Sequence, residues 1–394
     1  MPPLTRRALL ASCAAPASAA RKISDTVIYS DDRFYSAFPS AVRLRNGELL
    51  VAFRRAPERR RMGAKGISHT DPNSHLVLVR SSGGGRTWSR RPELIHAHPL
   101  GGSQDPCLHV LRDGTLLCAS YLWVWLDEAA RQSSPATVRL GEYAFHGGYL
   151  LRSRDGGRSW EGPSTPPPVP GRDARDGYGA PLPAYNRGAM CQARDGRLHW
   201  AVAYPKGPER NSGTDVHLLS STDSGVTWQY RCVIASDPRA AFNETSLYET
   251  PAGDLVAFLR TAGLDDHTVI ARSRDGGRSF EPWQDTGWQG HPHHAARLED
   301  NRVLLVYGYR HPPFGIRARI LDAECTNAAA APEIVLRSDG GGTDLGYPWA
   351  VALPGGRALV VYYFQTGNGT RHIAGTWLEY QPPARQPGRE GRSR

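Results

Sequence analysis

One position in each of six similar segments carries side chains suited to proton transfer and to the binding of anions. This position lies nine residues before the second residue of a hairpin turn. The residues found there are Phe38, Asp105, Arg187, Glu244, Pro292 with its neighbours His291 and His293, and Tyr347. Carboxylates, imidazoles and a phenol can exchange protons, and a guanidinium binds an anionic group. The pattern therefore predicts a polar funnel, which is the first candidate for an active site.

Six apolar hairpins set this spacing. Each hairpin consists of an apolar strand, a tight turn and a second apolar strand. The hairpins cover 41–53, 108–121, 189–204, 246–259, 294–307 and 350–363. Their turns are Asn46-Gly47, Asp113-Gly114, Asp195-Gly196, Ala252-Gly253, Asp300-Asn301 and Gly355-Gly356. Dipeptides of this kind predict two-residue hairpin turns.

A second motif, Ser-x-Asp-x-Gly-x-Ser/Thr-aromatic, recurs between the hairpins. It occurs at 153–160, 221–228 and 273–280, and a degenerate copy at 81–88 has Gly83 in place of the aspartate. In such a turn Ser and Asp bond nearby backbone N–H groups, Gly supplies a positive φ, and the aromatic ring is buried. Each copy follows an apolar run, so the motif predicts a repeated β unit with a structural role.

Six such units, spaced at roughly 50 to 80 residues without an amphipathic helix between them, predict an all-β fold, a six-bladed β-propeller with Asp-box turns. Two β-sandwiches are the alternative, which the identical boxes in sequential units disfavour. The segment around 26–29 is expected to supply the last strand of the final blade. The expected limits are 1–22 for a signal or disordered segment, 23–380 for the propeller and 381–394 for a disordered tail.

Composition limits the classes of partner. The net charge of +10 comes almost wholly from arginine, since the 394 residues include only three lysines. The arginines are scattered without a basic helix or an RNA-binding signature, so nucleic acid is not an expected partner, whereas an acidic substrate is compatible. No apolar run is long enough for a transmembrane helix. The cysteines beyond Cys13 are odd in number and widely spaced, which argues against a disulfide framework and a zinc site.

The N-terminus predicts export. Residues 5–10, Thr-Arg-Arg-Ala-Leu-Leu, resemble the start of a twin-arginine signal, and small residues follow to Ala20. Residues 10–13, Leu-Ala-Ser-Cys, resemble a lipoprotein box, in which Cys13 would carry a lipid anchor. The protein is therefore expected in the periplasm, in the medium or on the cell surface, as a monomer. A disordered N-terminus is the alternative, because the apolar stretch is short and contains Pro16.

Over 24–380 the chain resembles the sialidase (neuraminidase) superfamily of propellers with Asp-box, or BNR, repeats. Besides the boxes, the resemblance rests on Asn-Glu-Thr-Ser at 243–246, followed by an apolar strand that ends in Arg260. It also rests on Gly-Tyr-Pro at 346–348, followed by a strand that reaches Tyr363. It implies a glycosidase without a metal or cofactor, in which Tyr347 is the nucleophile and Glu244 accepts its proton.

The same resemblance assigns further residues. Asp71, just before an apolar strand and the first box, matches the acid/base aspartate, and Arg54 or Arg55 matches the arginine that closes the first hairpin. Arg260 and Arg317 match arginines that clamp the carboxylate of a sialoside, with Arg310 as the competitor of Arg317. A neutral tyrosine can approach an anomeric carbon that bears a carboxylate, which would repel a carboxylate nucleophile.

The chain departs from the family at the start of the first blade. Members of the superfamily have Arg-Ile-Pro there, whereas this sequence has Ala-Phe-Pro at 37–39. One arginine of the expected triad is therefore missing. Either Arg187 on the third blade substitutes for it, or the carboxylate of the substrate lies elsewhere, as in a uronic acid.

Two other functions fit the residues. A lyase or glycosidase directed at uronates would use His291, His293 or His311 with Tyr347 as base and acid, and Arg187 or Arg260 to neutralise the carboxylate. A non-catalytic glycan-binding propeller would stack sugars on Trp123, Trp125, Trp288 and Trp349. A metal at 290–294 is disfavoured because consecutive histidines of a strand point to opposite faces. The sialidase-like mechanism requires Glu244 and Tyr347 to be neighbours.

Overall fold

The computed structural model describes residues 20–65, 69–367 and 369–380, and these residues form a six-bladed β-propeller of antiparallel sheets. The fold predicted from the repeats is confirmed. In chain order the first strands are β1 (Ala20–Tyr29), β2 (Phe34–Arg43), β3 (Leu49–Pro57), β4 (His75–Ser81), β5 (Glu93–His96), β6 (Gly102–Val110), β7 (Leu116–Trp125), β8 (Arg139–Leu140), β9 (Tyr143–Ser153), β10 (Glu161–Ser164), β11 (Cys191–Gln192), β12 (Leu198–Pro205), β13 (Thr214–Ser221) and β14 (Gln229–Ala235).

The second half of the chain completes the ring. Its strands are β15 (Ala241–Phe242), β16 (Ser246–Glu249), β17 (Leu255–Leu259), β18 (Thr261–Ala262), β19 (His267–Ser273), β20 (Gln284–Gln289), β21 (His293–Arg297), β22 (Val303–Tyr309), β23 (Gly315–Leu321), β24 (Glu333–Arg337), β25 (Gly346–Leu353), β26 (Arg357–Phe364) and β27 (His372–Tyr380). Two short helical segments lie in connections, a 3-10 turn at Arg59–Met62 and the helix α1 at Glu128–Ser133.

Each blade has four main strands. From the innermost strand outwards, the six blades are β2-β3-β4-β5, β6-β7-β9-β10, β11-β12-β13-β14, β16-β17-β19-β20, β21-β22-β23-β24 and β25-β26-β27-β1. Strand β8 pairs with β9, and β15 pairs with β18 in a separate two-stranded ribbon. The expected closure by residues 26–29 is confirmed, because β1 pairs with β27 and places Val27 opposite Ala374.

The limits of the propeller differ slightly from the expectation. Strand β1 begins at Ala20, three residues before the predicted boundary at residue 23. Cys13, most of the predicted signal segment and the predicted tail at 381–394 lie outside the described residues. None of the described residues forms a helix that is long and apolar enough to span a membrane. The five cysteines among the described residues are free.

All six inner hairpins turn through three residues, so the prediction of two-residue turns was wrong. In the first hairpin the Leu44 amide bonds the Glu48 carbonyl and the Gly47 amide bonds the Leu44 carbonyl, with φ of +86° at Gly47. The Asn46 side chain also accepts from the Glu48 amide at 3.0 Å. This is a type I turn closed by a left-handed residue, which Asn-Gly and Asp-Gly serve as well as they serve a two-residue turn.

The Asp boxes connect the third and fourth strands of blades one to four. In the second copy Asp155 accepts four hydrogen bonds from the box, two from the Arg158 and Ser159 amides at 2.9 and 3.0 Å and two from the Ser153 and Ser159 hydroxyls. Gly157, at φ +80°, packs against leucines of two neighbouring blades, where a Cβ would meet them at 3.4 Å. The boxes therefore fix the outer turns of the blades.

The innermost strands of blades one, two and six share a bulge. The strand register shifts between Ala37 and Ser40 in β2, between Gln104 and Cys107 in β6, and between Gly346 and Trp349 in β25. The first bulged residue of each has a positive φ and precedes a proline; these residues are Phe38 (+56°), Asp105 (+32°) and Tyr347 (+51°). Such backbone is unfavourable for bulky residues and concentrates at functional sites. Three of the six predicted positions therefore share this bulge.

Candidate active site at the channel rim

Tyr347, Glu244 and Arg260 form one hydrogen-bonded cluster. The Tyr347 hydroxyl donates to Oε1 of Glu244 at 2.6 Å. Nη1 of Arg260 donates to the Tyr347 oxygen at 3.0 Å and to Oε2 of Glu244 at 2.5 Å. Tyr347 stands at the start of β25, Glu244 precedes β16, and Arg260 directly follows β17. Glu244 and Tyr347 are thus neighbours, as the sequence-based mechanism required.

The charges around the cluster set its protonation. Burial alone would raise the pKa of Glu244, but the Arg260 charge and the hydrogen bond from Tyr347 outweigh burial and hold this pKa below its ordinary value. Burial raises the pKa of Tyr347, and the Glu244 carboxylate raises it further. At neutral pH the pair is therefore a neutral phenol beside a carboxylate, so the phenol can lose its proton to Glu244 when it attacks an electrophile.

Arg187 supports Tyr347 through its ring and its backbone. Its guanidinium carbon lies 4.7 Å from the centroid of the Tyr347 ring, and Nη2 donates to the carbonyl oxygens of Pro39 and Tyr347 at 3.0 and 3.1 Å. Arg187 is fully buried, and its Nε and Nη1 have no partner among the described residues. It therefore lies against the nucleophile candidate and keeps two unused donors there.

Arg310 is the blade-five arginine that reaches the cluster. Its guanidinium carbon lies 5.3 Å from the centroid of the Tyr347 ring. Nε and Nη2 bond the Leu345 carbonyl at 3.3 and 3.2 Å, which places the guanidinium beside the start of β25. Arg187, Arg260 and Arg310 therefore all lie against Tyr347.

The assignment of Arg317 to the site has to be corrected. Its guanidinium stacks on Tyr309 at 4.6 Å and donates to the carbonyl oxygens of Pro313 at 3.0 Å, Ile316 at 3.2 Å and Arg337. It is buried within blade five, in the third strand, where backbone carbonyls accept from Nη1 and Nη2 and Nε lies 3.3 Å from Oε1 of Glu333. Arg317 therefore stabilises its own blade.

Asp71, the predicted acid/base, forms an ion pair with Arg59. Both of its carboxylate oxygens are engaged, because Arg59 donates from Nε to Oδ2 at 2.6 Å and from Nη2 to Oδ1 at 2.9 Å. The Asn73 amide adds a bond to Oδ1 at 2.8 Å. In this two-pronged pair with arginine, neither carboxylate oxygen of Asp71 is free to contact a substrate.

Asp105 and Arg54 form a second polar group near the cluster. Oδ2 of Asp105 accepts from the Tyr121 hydroxyl at 2.9 Å, whereas Oδ1 has no partner among the described residues. Burial and the nearby Glu244 charge raise the pKa of Asp105 to about 7. Arg54 is fully buried, and none of its three guanidinium nitrogens has a hydrogen-bond partner among the described residues. This unused capacity is what a polar ligand would satisfy.

Of the two candidate arginines in the first hairpin, Arg54 belongs to this polar group and Arg55 does not. The Arg54 guanidinium carbon is 5.9 Å from the Phe38 ring centroid. Arg55 pairs with Asp31 at 3.3 Å, and its guanidinium carbon lies 3.4 Å from the Phe34 ring centroid. The alternation of side chains along β3 separates the two arginines.

The histidines at the rim divide into two environments. His291 and His311 share the Asp266 carboxylate, with Nε2 to oxygen distances of 3.1 and 3.2 Å. Burial, then the charges of the neighbouring arginines, lower the pKa of His291, so its imidazole is neutral. His293 is buried inside the blade with Nε2 2.8 Å from Oγ1 of Thr268, which gives it a structural contact. No cluster of metal-ligating side chains occurs among the described residues.

An aromatic wall was not foreseen from the sequence. The Phe38 ring, directly after Ala37 at the position of the missing arginine, lies 4.8 Å from the Tyr347 ring and 5.0 Å from the Tyr363 ring. Behind this wall, the Asp344 carboxylate collects the donors Tyr35, Tyr363, Arg371 and His69 at distances of 2.7 to 3.0 Å. The only sequence signal was the closeness of Asp344 to Tyr347 and of His69 to Asp71.

Comparisons with known proteins place this geometry in context. The family model of the BNR repeat-like domain matches residues 136–361. A protein of unknown function from Dyadobacter fermentans has a similar crystal structure, with 55% identity over 92% of this chain and 100% of that chain and a TM-score of 0.89. No curated protein matches the sequence.

Two enzymes share the fold at low identity. The NanB sialidase of Streptococcus pneumoniae has 14% identity and a TM-score of 0.61, over 92% of this chain and 70% of that chain. The α-L-arabinanase of Penicillium chrysogenum has 14% identity and a TM-score of 0.60, over 91% of this chain and 98% of that chain. At this identity the likeness shows the fold alone, so the chemistry must be argued from the site.

Proposed function

The chain belongs to the family of the BNR repeat-like domain, and from its tyrosine–glutamate–arginine cluster we propose that it is a retaining glycoside hydrolase of the exo-α-sialidase type, acting on acidic glycans. The fold shared with a sialidase and an arabinanase supports a glycosidase. The identity of the side chains at the rim supports an anionic substrate.

The observation that carries this proposal is the hydrogen bond from the Tyr347 hydroxyl to Glu244, with Arg260 bound to both residues. A carboxylate nucleophile is repelled by an anomeric carbon that bears a carboxylate, whereas a neutral phenol is not. Sialidases are the glycosidases that use a tyrosine for this reason. The cluster has the partner that such a tyrosine needs, a carboxylate ready to accept its proton.

In the proposed first step the Tyr347 oxygen forms a bond to the anomeric carbon while its proton passes to Glu244. The bond to the leaving oxygen breaks, and a general acid protonates that oxygen. In the second step water attacks the same carbon and gives one proton to the conjugate base of that acid, the bond to Tyr347 breaks, and Tyr347 recovers its proton from Glu244. Two displacements at one carbon retain the configuration of the sugar.

Arg260 and Arg310 would hold the carboxylate of the substrate. Both lie against Tyr347, Arg260 through a hydrogen bond to its hydroxyl and Arg310 with its guanidinium carbon 5.3 Å from the ring centroid. Each charge-assisted hydrogen bond contributes about 1.5–3 kcal/mol, so two arginines still give strong recognition when the position of the third holds Ala37.

A second candidate function is a uronate lyase. The arginine that is missing from 37–39 and the Asp266–His291 pair favour it. In that reaction the neutral His291 would remove the proton next to the carboxylate, and Tyr347 would protonate the departing glycosidic oxygen. A carbon–carbon double bond would form as the glycosidic bond breaks. The unpartnered Nδ1 of the buried His291 supports this candidate.

A single panel of substrates separates the two. The full-length protein is incubated with a fluorogenic α-sialoside and, in parallel, with a uronate-containing polysaccharide whose unsaturated product absorbs in the ultraviolet. The proposal expects release of the fluorophore and no ultraviolet signal, and it expects Tyr347→Phe to abolish the release. An ultraviolet signal without sialoside cleavage would replace the proposal by the lyase. Binding of acidic glycans without any turnover would leave a glycan-binding propeller.

A further inference from the structure

The site as described lacks a free general acid. Asp71, the residue at the matching place in the sequence, gives both oxygens to Arg59 and one also to the Asn73 amide. Its side chain is only 6% exposed and that of Arg59 is 36% exposed, so a substrate would have to displace Arg59 to reach it. A group on the same rim that no arginine engages is therefore better placed to protonate the leaving oxygen.

His69 stands on the same connection, two residues before Asp71, and faces the aromatic wall. Its ring centroid lies 5.5 Å from that of Phe38, in an edge-on arrangement, and the Phe38 ring in turn lies 4.8 Å from the Tyr347 ring. The His69 side chain is 51% exposed, whereas Tyr347 is buried. Phe38 is itself buried, so the imidazole forms the open side of this aromatic group, the side from which a leaving group would depart from a sugar bound at Tyr347.

Asp344 orients this imidazole. Nε2 of His69 lies 3.0 Å from Oδ1 of Asp344. Burial alone would raise the pKa of Asp344, but the hydrogen bond and charge of His69, the charge of Arg371 and the bond from Tyr35 hold it well below its usual range. The carboxylate is therefore ionised and accepts, so Nε2 carries a proton and Nδ1 is left for the substrate. An acid/base histidine held by an aspartate in this way has a fixed tautomer and ring orientation.

The other aspartate-bound histidine at the rim is less suited to this role. His291 is only 5% exposed, and its nearest charges are arginines that disfavour its protonated form. A general acid has to be protonated before it reacts and must reach an oxygen that leads out of the site. The half-exposed His69 can reach such an oxygen, and its Nε2 contacts the Asp344 carboxylate.

We propose that His69 is the general acid and base of this site and that Asp344 is its positioning residue. The inference rests on the proposed glycosidase function. In the first step Nδ1 of the protonated His69 gives its proton to the leaving oxygen as Tyr347 attacks and transfers its own proton to Glu244. In the second step Nδ1 takes a proton from water, the water oxygen bonds to the anomeric carbon, and the Tyr347 oxygen leaves and regains its proton from Glu244.

The experiment compares two sialosides that differ in how much their leaving group needs protonation. Umbelliferone leaves readily as an anion, whereas lactose leaves only as an alcohol. His69→Asn is expected to lower kcat/KM for the lactose-linked sialoside by about 10²–10⁴-fold and for the umbelliferyl sialoside far less. Azide, which needs no general base, should restore turnover of the umbelliferyl substrate by the variant and give a glycosyl azide of retained configuration.

Matched variants separate this role from others. His267 also pairs with an aspartate, since its Nδ1 lies 2.9 Å from Asp285, but it lies in the third strand of blade four. His267→Asn should therefore leave kcat/KM unchanged for both sialosides. Asp344→Asn should lower the lactose-linked rate more than the umbelliferyl rate, since a positioning residue acts through His69.

The outcomes are distinguishable from a failure of the proposed function. If the unmodified protein cleaves neither sialoside, the glycosidase proposal itself is wrong. If it cleaves both and His69→Asn lowers both equally or neither, His69 is not the acid. The inference is likewise overturned if Asp71→Asn, and not His69→Asn, shows the selective loss on the lactose-linked substrate together with rescue by azide.

Discussion

The carboxylates of the Asp boxes and those of the channel rim have opposite surroundings. Each complete box aspartate accepts hydrogen bonds from two backbone amides and two hydroxyls of its own turn, as Asp223 does with the Val226 and Thr227 amides and the Ser221 and Thr227 hydroxyls. At the rim, Asp105 has an oxygen without a partner, and the Arg54 guanidinium beside it has none among the described residues.

This difference distinguishes structure from function within one fold. The box residues are close in sequence and satisfy one another, so they fix the outer turns at little cost. The rim residues come from different blades, adopt strained backbone at Phe38, Asp105 and Tyr347, and leave polar atoms unsatisfied. Unfavourable features of this kind persist where a ligand or a reaction uses them, while a regular scaffold supplies the stability.

The largest expected effect comes from the rim. Tyr347→Phe removes the nucleophilic oxygen and should lower kcat for a sialoside by at least about 10³-fold, as loss of a nucleophile does in other enzymes. The melting temperature should change little. The measurement is turnover of a fluorogenic sialoside together with a thermal melt.

Tyr248→Phe is the matched control for that variant. Tyr248 is buried on the innermost strand of blade four, and its hydroxyl has no partner among the described residues. Its loss should leave kcat unchanged. Full activity of Tyr347→Phe would remove the proposed nucleophile from the mechanism.

Substitutions of two arginines of blade five should have opposite effects, one on kcat/KM and the other on stability. Arg310→Met removes a cation beside Tyr347 and should lower kcat/KM for an acidic substrate by about 10–150-fold, the equivalent of one charge-assisted bond. Arg317→Met removes the donors that hold backbone carbonyls and should destabilise the fold by about 2–4 kcal/mol, with kcat/KM per folded molecule unchanged. Kinetics and urea unfolding of both variants provide the test, and the reverse pattern would restore Arg317 to the site.

The pH dependence of stability should also have opposite signs in the two regions. The raised pKa of Asp105, about 7, means that its contribution to stability is present at acidic pH and is lost as pH rises towards 7. Asp105→Asn should therefore raise the urea midpoint at pH 8 more than at pH 5. In the box, hydrogen bonds outweigh the effect of burial and lower the pKa of Asp223 to about 2, so its contribution is present at neutral pH and is lost as pH falls towards 2.

Asp223→Asn should accordingly lower the urea midpoint at pH 8 and at pH 5, with a smaller loss near pH 3. Midpoints measured at these pH values for both variants check the signs. Equal pH profiles for Asp105→Asn and Asp223→Asn would contradict the contrast between a satisfied and an unsatisfied carboxylate.

The smallest expected effect is a repair of the first box. Gly83 occupies the place of the aspartate, while Ser81 already bonds the Gly85 amide at 2.8 Å as in the complete boxes. Gly83→Asp should raise the melting temperature by about 1–3 °C without a change in activity, because the donors of the turn gain an acceptor. A Cβ at residue 83 would lie 3.1 Å from Oγ1 of Thr87, the group that should bond the new carboxylate. A lower melting temperature would show that the turn has adapted to glycine.

The sequence predicts the fold and part of the site because both follow from short-range spacing. The boxes and hairpins repeat locally, and the constant distance from turn to inner strand brought Glu244 and Tyr347 to one rim although they are 103 residues apart. The turn length was missed because Asn-Gly and Asp-Gly suit both two- and three-residue turns.

The remaining contacts could not be read from spacing. Arg310 and Arg317 differ by whether a blade's own carbonyls consume the donors, which depends on packing in three dimensions. The pairing of Asp71 with Arg59 and that of His69 with Asp344 join residues that no repeat relates, the second pair across 275 positions. Such partner choices arise only when the ring of blades closes.

The most direct test of the central claim is to trap the covalent intermediate. A fluorinated sialosyl fluoride, which forms the glycosyl enzyme quickly and loses it slowly, is incubated with the full-length protein, and the digested product is analysed by mass spectrometry. A single added sugar is expected on the peptide that contains Tyr347, and it should be absent in Tyr347→Phe. A sugar on Glu244 or Asp105, or turnover of sialosides without any labelled tyrosine, would contradict it.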